Sequence, residues 1–398
     1  MANTLTAFNP EFWAAQMQET YLKENVAVGF ARTEFKSDLA MGDTLHRPYG
    51  SYARVQTYTK GTDITVKDLS STDETLTVDT AKVASFYIDD IDKVQNKWDV
   101  ATEYATMAGR QLSNNIEQAV LSNYSSAGTT MTGTSIGEAS GAIVMTAANT
   151  ANIFTGAGRV LNGKKRMSRD RVALIGPRAL ETIQTYVGGR ETGFGDTVSD
   201  NGVVANRFGF QLVLTNNLPY TATLTISAAV TDGDTVTING VVFTFKTTLT
   251  GSATLGEVLI GANAAASNAN LTKAIDDSGT VDTHYSALSA ENRQLIEEAG
   301  LDATATSTTT AIAGYGDIVV SETLTDAANV WSAQKSFMLM MVRGSIDLVT
   351  QVAPNVEFRD AQLRLGRYVH PWTLYGHKLF TRNVDNLVVA QIDASSWT

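Results

Sequence analysis

The chain has 398 residues and 43% hydrophobic content, so it can bury sizeable cores, and its length predicts two or three structural units. It contains no cysteine, which excludes disulfide bonds, thiolate nucleophiles and cysteine-ligated metals. The formal net charge of −11 argues against a general nucleic-acid-binding protein, whose footprint would be basic. We also find no charged and apolar leader and no apolar run approaching the roughly 18 residues of a membrane span, which predicts a protein used without export.

The N-terminal stretch predicts an arm that docks on another surface. Asn9 can cap a helix that has Pro10 at its first position, and large apolar side chains follow on one side. These side chains are too few to form a core. We predict that Trp13 and Met17 contact a neighbouring subunit, with the chain's own body as the alternative surface.

Residues 54–66 predict a β-hairpin with a thinly apolar tip. Two alternating runs flank residues 60–63, where Gly61 can supply the positive φ of a turn. A lone two-stranded hairpin is at best marginal in water, so this arm needs a surface to lie on, and a neighbouring subunit is the obvious candidate. The predicted contact residues on the arm are Val55, Tyr58, Ile64, Val66 and Leu69.

Better-filled strands and a long helix follow the arm. Apolar residues at period two predict strands around Leu76 and Ile88, and the acidic run 89–92 is interpreted as a turn and helix start. Asp99 can cap a helix of about 26 residues, roughly 39 Å long, that ends before Gly128. Its apolar residues recur every four positions, so the stripe winds around the helix and different neighbours must cover its two ends.

The next part of the chain predicts a small α/β unit. A Thr/Ser/Gly-rich loop at 128–141 leads to a helix that ends near Gly163. The apolar run 172–175 predicts a strand, Gly176-Pro177 opens a helix, and alternation over 208–214 predicts the next strand.

Residues 221–330 differ from the rest in composition and charge. They hold thirteen acidic residues against three basic ones, a balance of −10, so the remaining residues sum to −1. Asn239-Gly240 between two apolar runs is the strongest hairpin signal in the chain. Because the composition of the α/β unit returns at Trp331, we predict that this segment is an acidic, β-rich domain inserted in a surface loop of that unit.

The C-terminal part predicts several further strands. Residues 337–342 predict a strand buried on both faces, and Pro354 is interpreted as marking a strand end or edge. We expect strands 372–380 and 387–392 to pair with the strands that precede the long helix.

The sequence contains only weak indications of catalytic, metal-binding or nucleic-acid-binding sites. Residues 133–137 match the G-x-S-x-G pattern of a hydrolase, with Ser135 as nucleophile, but an apolar strand before it and a helix after it are not predicted. His370 and His377 lack clustered carboxylates and are interpreted as packing residues. The basic residues near position 165 predict a solvated face or a salt-bridging surface to a partner and not nucleic-acid readout, because no stacking aromatics are interleaved. They are Arg159, Lys164, Lys165, Arg166, Arg169, Arg171 and Arg178.

In their order, these features resemble the major capsid proteins of tailed bacteriophages, which have the Hong Kong phage-type fold, an α+β architecture. The likeness rests on the following stretches: Gly61–Leu69, Leu76–Asp79, Phe86–Asp92, the helix from Asp99, Gly209–Pro219 and Tyr375–Phe380. The resemblance implies an N-terminal arm (1–40), an extended loop (41–82), a peripheral domain with a spine helix (83–150), an axial domain in two parts (151–220 and 331–350), the inserted domain (221–330) and peripheral return strands (351–398).

The resemblance also implies a function. We expect a non-enzymatic subunit of hexamers and pentamers that form an icosahedral head around double-stranded DNA, without sequence-specific binding, cofactor, metal or membrane. A separate scaffolding protein and a portal are expected partners, and assembly is expected in the bacterial host cytoplasm, with the acidic domain on the outer surface. The alternatives are a serine hydrolase using Ser135 and a surface-layer or adhesin-like structural protein, which should carry an export leader.

Overall fold

Two β-sheets and a long helix between them organise the fold. The computed structural model describes residues 25–36, 39, 42–53, 55–66, 68–91, 100–189, 206–251, 254–362 and 364–395. The helices within these ranges are α1 (Val100–Leu121), α2 (Thr150–Gly163), α3 (Pro177–Gly188), α4 (Ala264–Asp276) and α5 (Ala290–Glu298). Short 3₁₀ helices occupy Ala27–Phe30, Glu34–Lys36, Ser122–Ser126, Gly133–Ile136 and Val384–Asn386.

The strands fall into five sheets within the described residues. The first half of the chain supplies β1 (Thr44–His46), β2 (Tyr49–Gly50), β3 (Ser71–Thr72), β4 (Thr75–Thr77), β5 (Thr80–Val83), β6 (Phe86–Asp89), β7 (Thr129–Met131), β8 (Arg171–Ile175) and β9 (Gln211–Leu214). The middle supplies β10 (Pro219–Thr225), β11 (Thr235–Ile238), β12 (Val241–Lys246), β13 (Glu257–Leu259), β14 (Asp302–Ala305), β15 (Thr309–Tyr315) and β16 (Val320–Thr323). The last four are β17 (Val330–Val342), β18 (Asp347–Asp360), β19 (Gly366–Lys378) and β20 (Leu387–Asp393).

The central sheet is buried on both faces over its middle strands. Its order is β14-β15-β10-β17-β20-β7, and β8 pairs with the C-terminal half of β17 and with β9. Met338 and Met340 of β17 pack with α2 and α3, whereas Leu339 and Met341 pack with α1 and residues 26–31. The expected strand at 337–342 and the helices near 153–163 and 177–188 are therefore confirmed.

The expected partner of the last strand is wrong. β20 pairs with β17 and, in parallel, with β7, and not with the strands before the long helix. Its residues Leu387–Ala390 are all buried, so both faces of this strand are covered by other parts of the protein. A strand in a sheet with one solvent-exposed face would instead alternate buried and exposed residues. The region 128–141, expected as a loop, correspondingly contains β7.

The peripheral sheet consists of β18, β19, β5 and β6. The expectation for β19 is confirmed, because this strand pairs with both β5 and β6, which precede α1. Pro354 lies on an edge strand as expected, because β18 is the outer strand of this sheet, but it does not end the strand, which continues to Asp360. The β18–β19 register is irregular between Val352 and Asn355, so no ladder hydrogen bond is required from the proline nitrogen.

Helix α1 lies against the peripheral sheet and the central sheet. The expected helix is confirmed over Val100–Leu121, with a 3₁₀ turn to Ser126, while the expected cap Asp99 lies outside the described residues. Ile116 and Val120 are buried near its C-terminal end, whereas Tyr104 is exposed near its N-terminal end. The winding stripe is therefore buried from Ala108 through Leu112 to Val120 and is exposed at Tyr104.

Residues 219–331 build a hydrophobic cluster of their own around Phe243, Phe245 and Tyr285. The turn between β11 and β12 is confirmed, with Asn239 at φ 51° and Gly240 at φ 81°, both left-handed as a type I′ turn requires. However, β10, β14 and β15 extend the central sheet, so part of the segment expected to form an inserted domain is continuous with the body. The division at 221 and 330 stays a prediction.

Candidate intersubunit interface

The predicted arm is a β-hairpin only at its base. β1 pairs with β4 and β2 pairs with β3, and the backbone N–H of Ser51 donates to the carbonyl of Ser70 at 2.8 Å. Beyond this point residues 55–66 form a turn at Gly61, with φ 87°, but no strand pairing among the described positions. The two strands expected at the tip are absent there because their threonines and lone valines give few apolar cross-strand pairs.

The predicted contact residues on the arm are exposed. Val55 and Val66 are 101% and 87% exposed, and Tyr58, Ile64 and Leu69 also face solvent. Sequence reasoning missed Tyr52, which is 84% exposed and extends the same apolar surface. The available signal was an aromatic residue three positions before Val55 in the same thinly apolar stretch. The other two predicted contacts, Trp13 and Met17, lie outside the described residues.

The base of the arm is anchored in a small hydrophobic cluster. Leu76 is fully buried and packs with Val349 and Phe380, which come from the peripheral sheet and the turn after it. A Cβ at Gly376 would lie 2.2 Å from the carbonyl oxygen of Thr77, so β19 and the arm base approach as closely as glycine allows. The exposed arm therefore projects from a fixed stem, which consists of the paired residues 44–50 and 71–77.

Polar side chains tie the arm base to distant parts of the chain. Arg47 donates from Nη1 to Oδ2 of Asp347 at 3.0 Å, and Nε of Arg32 lies 3.8 Å from its Oδ1. Burial raises the pKa of Asp347 to about 6, against the opposing effect of the two arginines. Arg382 donates to the carbonyl of Gly50 at 2.8 Å. Arg47 of the arm base and Arg32 of the N-terminal segment, residues 25–36, therefore both contact the buried carboxylate of Asp347 in β18.

A second buried carboxylate joins α1 to the N-terminal segment and the central sheet. Glu117 accepts from the backbone N–H of Ala27 at 3.3 Å and from Oγ1 of Thr215 at 3.2 Å. Burial raises its pKa to about 6. Nearby Asn217 donates to Oδ1 of Asn114 at 2.7 Å, while its own Oδ1 has no hydrogen-bond partner within the described structure.

Comparison with known proteins gives the family. A family model described as Gp10A-like major capsid protein matches residues 52–255, slightly more than half of the chain and including the arm. The chain belongs to this family of major capsid proteins. A search of the curated proteins found no match.

The fold of this capsid protein is similar to solved phage structures over nearly its whole length. A structure from Mycobacterium phage Che8 has 14% identity and a TM-score of 0.59, covering 96% of this chain and 97% of that one. The capsid structure of cyanophage P-SCSP1u has 12% identity and a TM-score of 0.57, covering 99% and 95%. The mature capsid of bacteriophage PhiM1 has 11% identity and a TM-score of 0.51, covering 97% and 92%.

These findings confirm the Hong Kong phage-type fold and the resemblance to major capsid proteins of tailed phages. The protein is a structural subunit of an icosahedral phage head, which places it in the virion as a self-assembling chain. A β-rich inserted domain is not established by the same comparisons.

The residues considered for chemistry have structural partners in this capsid protein. Ser135 lies within a 3₁₀ helix, where its Oγ accepts from the backbone N–H of Thr132 at 3.1 Å. His370 contacts Oγ of Ser85 at 2.8 Å through Nδ1, and Nδ1 of His377 lies 2.9 Å from Nδ2 of Asn123. Among the described residues, no group of three or more His, Cys, Asp or Glu side chains is placed to hold a metal ion. No described helix combines the length and hydrophobicity needed to span a membrane.

The predicted basic surface is partly paired within the chain. Lys164 and Arg166 lie 3.3 and 3.5 Å from the carboxylate of Asp385. Arg171 is buried and donates from Nη2 to Oδ1 of Asn162 at 2.7 Å. Arg178 lies 3.2 Å from Asp317 of the acidic segment. Three of these basic residues therefore have acidic partners within the chain, and salt bridges to a partner stay a prediction.

Proposed function

We propose that copies of this chain assemble as hexamers and pentamers whose arms each lie across a neighbouring copy. The observation that carries the proposal is the row of exposed apolar side chains on an arm whose stem is firmly anchored. Exposed apolar side chains of this kind mark an interaction site, because leaving them in water is unfavourable. In a self-assembling shell, the partner present at the highest concentration is another copy of the same chain.

The energy available from the arm is appreciable. Full burial of one Val, Ile or Leu side chain contributes about 1.5–3 kcal/mol, so the five predicted arm contacts together supply on the order of 10 kcal/mol before costs. Ordering an unpaired tip opposes this by about 1–2 kcal/mol for each residue that becomes fixed. Fixing all of residues 55–66 would cost at least as much as this burial supplies, so one arm contact alone is weak, and a ring is stable only when every arm is engaged at once.

The resemblance to tailed-phage capsid proteins supports the rest of the proposal. The shell encloses double-stranded DNA without reading its sequence, and it assembles in the bacterial cytoplasm with a separate scaffolding protein and a portal. The subunit has no enzymatic role and needs no cofactor. The acidic segment 221–330 lies on the outer face, because its −10 balance would be repelled by packaged DNA.

Substitutions on the arm test the proposal. We expect the double variant Val55→Asp and Val66→Asp to raise the subunit concentration needed for shell formation, because two charges would be buried at the contact. Assembly is followed by sedimentation and negative-stain microscopy. The matched control is Val144→Asp, the same change at a valine that is 55% exposed outside the arm.

Folding of each variant is checked by circular dichroism before assembly. Since both arm valines are exposed, the subunit should fold as the parent does. Normal shells from the arm variant at the parent's concentration would show that the arm does not lie on a neighbour.

A further inference from the structure

Opposite charges lie at the two ends of one strand. β17 enters from the acidic segment, where Val330 pairs with Thr225, and its other end pairs with the start of β8, where Val342 is opposite Arg171. The thirteen residues of this strand, at about 3.3 Å each, separate the two ends by about 40 Å. Through the β14–β15–β10–β17 registers, Asp302 of the acidic segment lies level with Lys335, partway along this strand, so the acidic segment occupies the half of the central sheet farther from Arg171.

The basic end is formed by the loop before β8 and the turn after β17. The two are joined because the backbone N–H of Arg343 donates to the carbonyl of Asp170. We define the basic end as Lys164, Lys165, Arg166, Arg169 and Arg343.

Within the basic end, positive charge is in excess. Lys164 and Arg166 share one carboxylate, that of Asp385. Lys165 and Arg169 are exposed and have no ion pair within the part of the chain that the structure describes. These two cations are available to an external partner.

The acidic segment has the complementary excess. Two of its three bases are already used inside it, since Lys246 lies 3.2 Å from Asp232 and Arg293 lies 3.5 Å from Asp277. Five exposed carboxylates are left, which we define as the acidic surface: Asp282, Glu291, Glu297, Asp302 and Asp326.

We infer that the basic end of one copy contacts the acidic surface of the next copy within a capsomer. This inference rests on the proposed ring assembly. A contact between two different surfaces of identical subunits is heterologous, and its repetition closes a ring when the rotation between neighbouring copies divides a full turn. Like-charged surfaces repel, so the same pattern disfavours back-to-back pairing of two basic ends.

A second copy fits the basic end better than nucleic acid does. The body outside the acidic segment is nearly neutral, at −1, so its basic end is a local feature and not part of a broad basic footprint. Met167 is the exposed apolar residue in this loop, and the stacking aromatics of a single-strand binding surface are absent from its described residues.

Substitutions that reverse the charge of each surface test the inference. The basic reversal is Lys165→Glu with Arg169→Glu, and the acidic reversal is Glu297→Lys with Asp302→Lys. We expect each reversal alone to raise the concentration required for shell formation by about tenfold at low salt, because like charges then face each other. The chain carrying both reversals should assemble near the parent's concentration, since its complementarity is restored with opposite sign.

The control is Arg364→Glu, which makes the same kind of charge change in the β18–β19 turn. This turn lies at the end of β18 opposite to Asp347 and therefore far from the basic end. Thermal unfolding of each unassembled variant checks that it folds. Assembly of the parent should weaken as salt rises, because the screening length shortens to about 3 Å at 1 M. Salt should instead improve assembly of each single reversal, because it screens the repulsion between like charges.

Three results would overturn the inference. The first is a combined variant that assembles no better than the worse single reversal. The second is a pair of single reversals that assemble like the parent. The third is a basic reversal that forms normal shells with less bound nucleic acid, which would assign the basic end to a polyanion. A parent chain that forms no shells under any salt condition would instead refute the proposed function itself.

Discussion

The buried Glu117 allows a prediction of pH-dependent stability. Burial raises its pKa from the ordinary 4.5 to about 6, so the folded chain binds this proton more tightly than the unfolded chain does. A rise of about 1.5 in pKa corresponds to about 2 kcal/mol. The contribution of this group to the free energy of unfolding is therefore greatest below pH 4.5 and is lost as the pH rises through 6.

Glu117→Gln should remove this dependence. The glutamine keeps an oxygen for the N–H of Ala27, and its amide can donate to the hydroxyl oxygen of Thr215, which lies 3.2 Å from the other carboxylate oxygen of Glu117. We expect the variant to be more stable than the parent by up to about 2 kcal/mol at pH 7.5 and equal to it near pH 4.5.

The assay is chemical unfolding of the unassembled subunit, followed by tryptophan fluorescence at pH 4.5, 6.0 and 7.5 and at matched protein concentration. Taking the difference between variant and parent cancels other groups that titrate in this window, Asp347 included. Glu103→Gln, near the start of the same helix, is the control. Equal stability of parent and Glu117→Gln at every pH would refute the assignment of a buried, proton-linked carboxylate at this position.

Three further substitutions test the fold. Leu76→Ala should cost about 2–5 kcal/mol and speed hydrogen exchange in the arm stem, measured by mass spectrometry, because it empties a fully buried site. Gly376→Ala should cost about 1–3 kcal/mol in denaturant unfolding, since its Cβ would meet the carbonyl oxygen of Thr77 at 2.2 Å. Gly240→Ala should cost about 1–2 kcal/mol from the backbone alone, because φ is 81° and no atom lies within 4 Å of the added Cβ. Unchanged exchange or unchanged midpoints would contradict the corresponding packing or turn.

Features set by local chemistry could be predicted from the sequence. The Asn239-Gly240 pair required a left-handed turn, and the turn forms. Ser289 accepts from the backbone N–H of Asn292 as a helix cap, and Pro177 begins α3 as expected. These signals involve residues a few positions apart, so the sequence alone contains the whole interaction.

Features set by distant partners could not be predicted in this way. The apolar pattern of β20 identifies a buried strand but does not choose between β17 and the strands near Ile88. Arg47 and Asp347 are 300 positions apart, so the sequence around either residue does not indicate that the two side chains form an ion pair at the arm base. The exposure of the arm could be predicted for a different reason, since a thinly apolar hairpin reveals by composition alone that it lacks a core.

The pairing of Thr225 with Val330 has a consequence for how the sequence of such a subunit can diverge during evolution. The chain leaves the body and returns to it at neighbouring positions of one antiparallel ladder, whose Cα atoms lie about 5 Å apart. Strands β14 and β15 of the intervening 104 residues, from 226 to 329, complete the central sheet, so the length of this segment can change only in its exposed turns, such as the β11–β12 turn, while the two anchoring strands keep their spacing. We expect heads built from this body to tolerate foreign polypeptides grafted between those two positions.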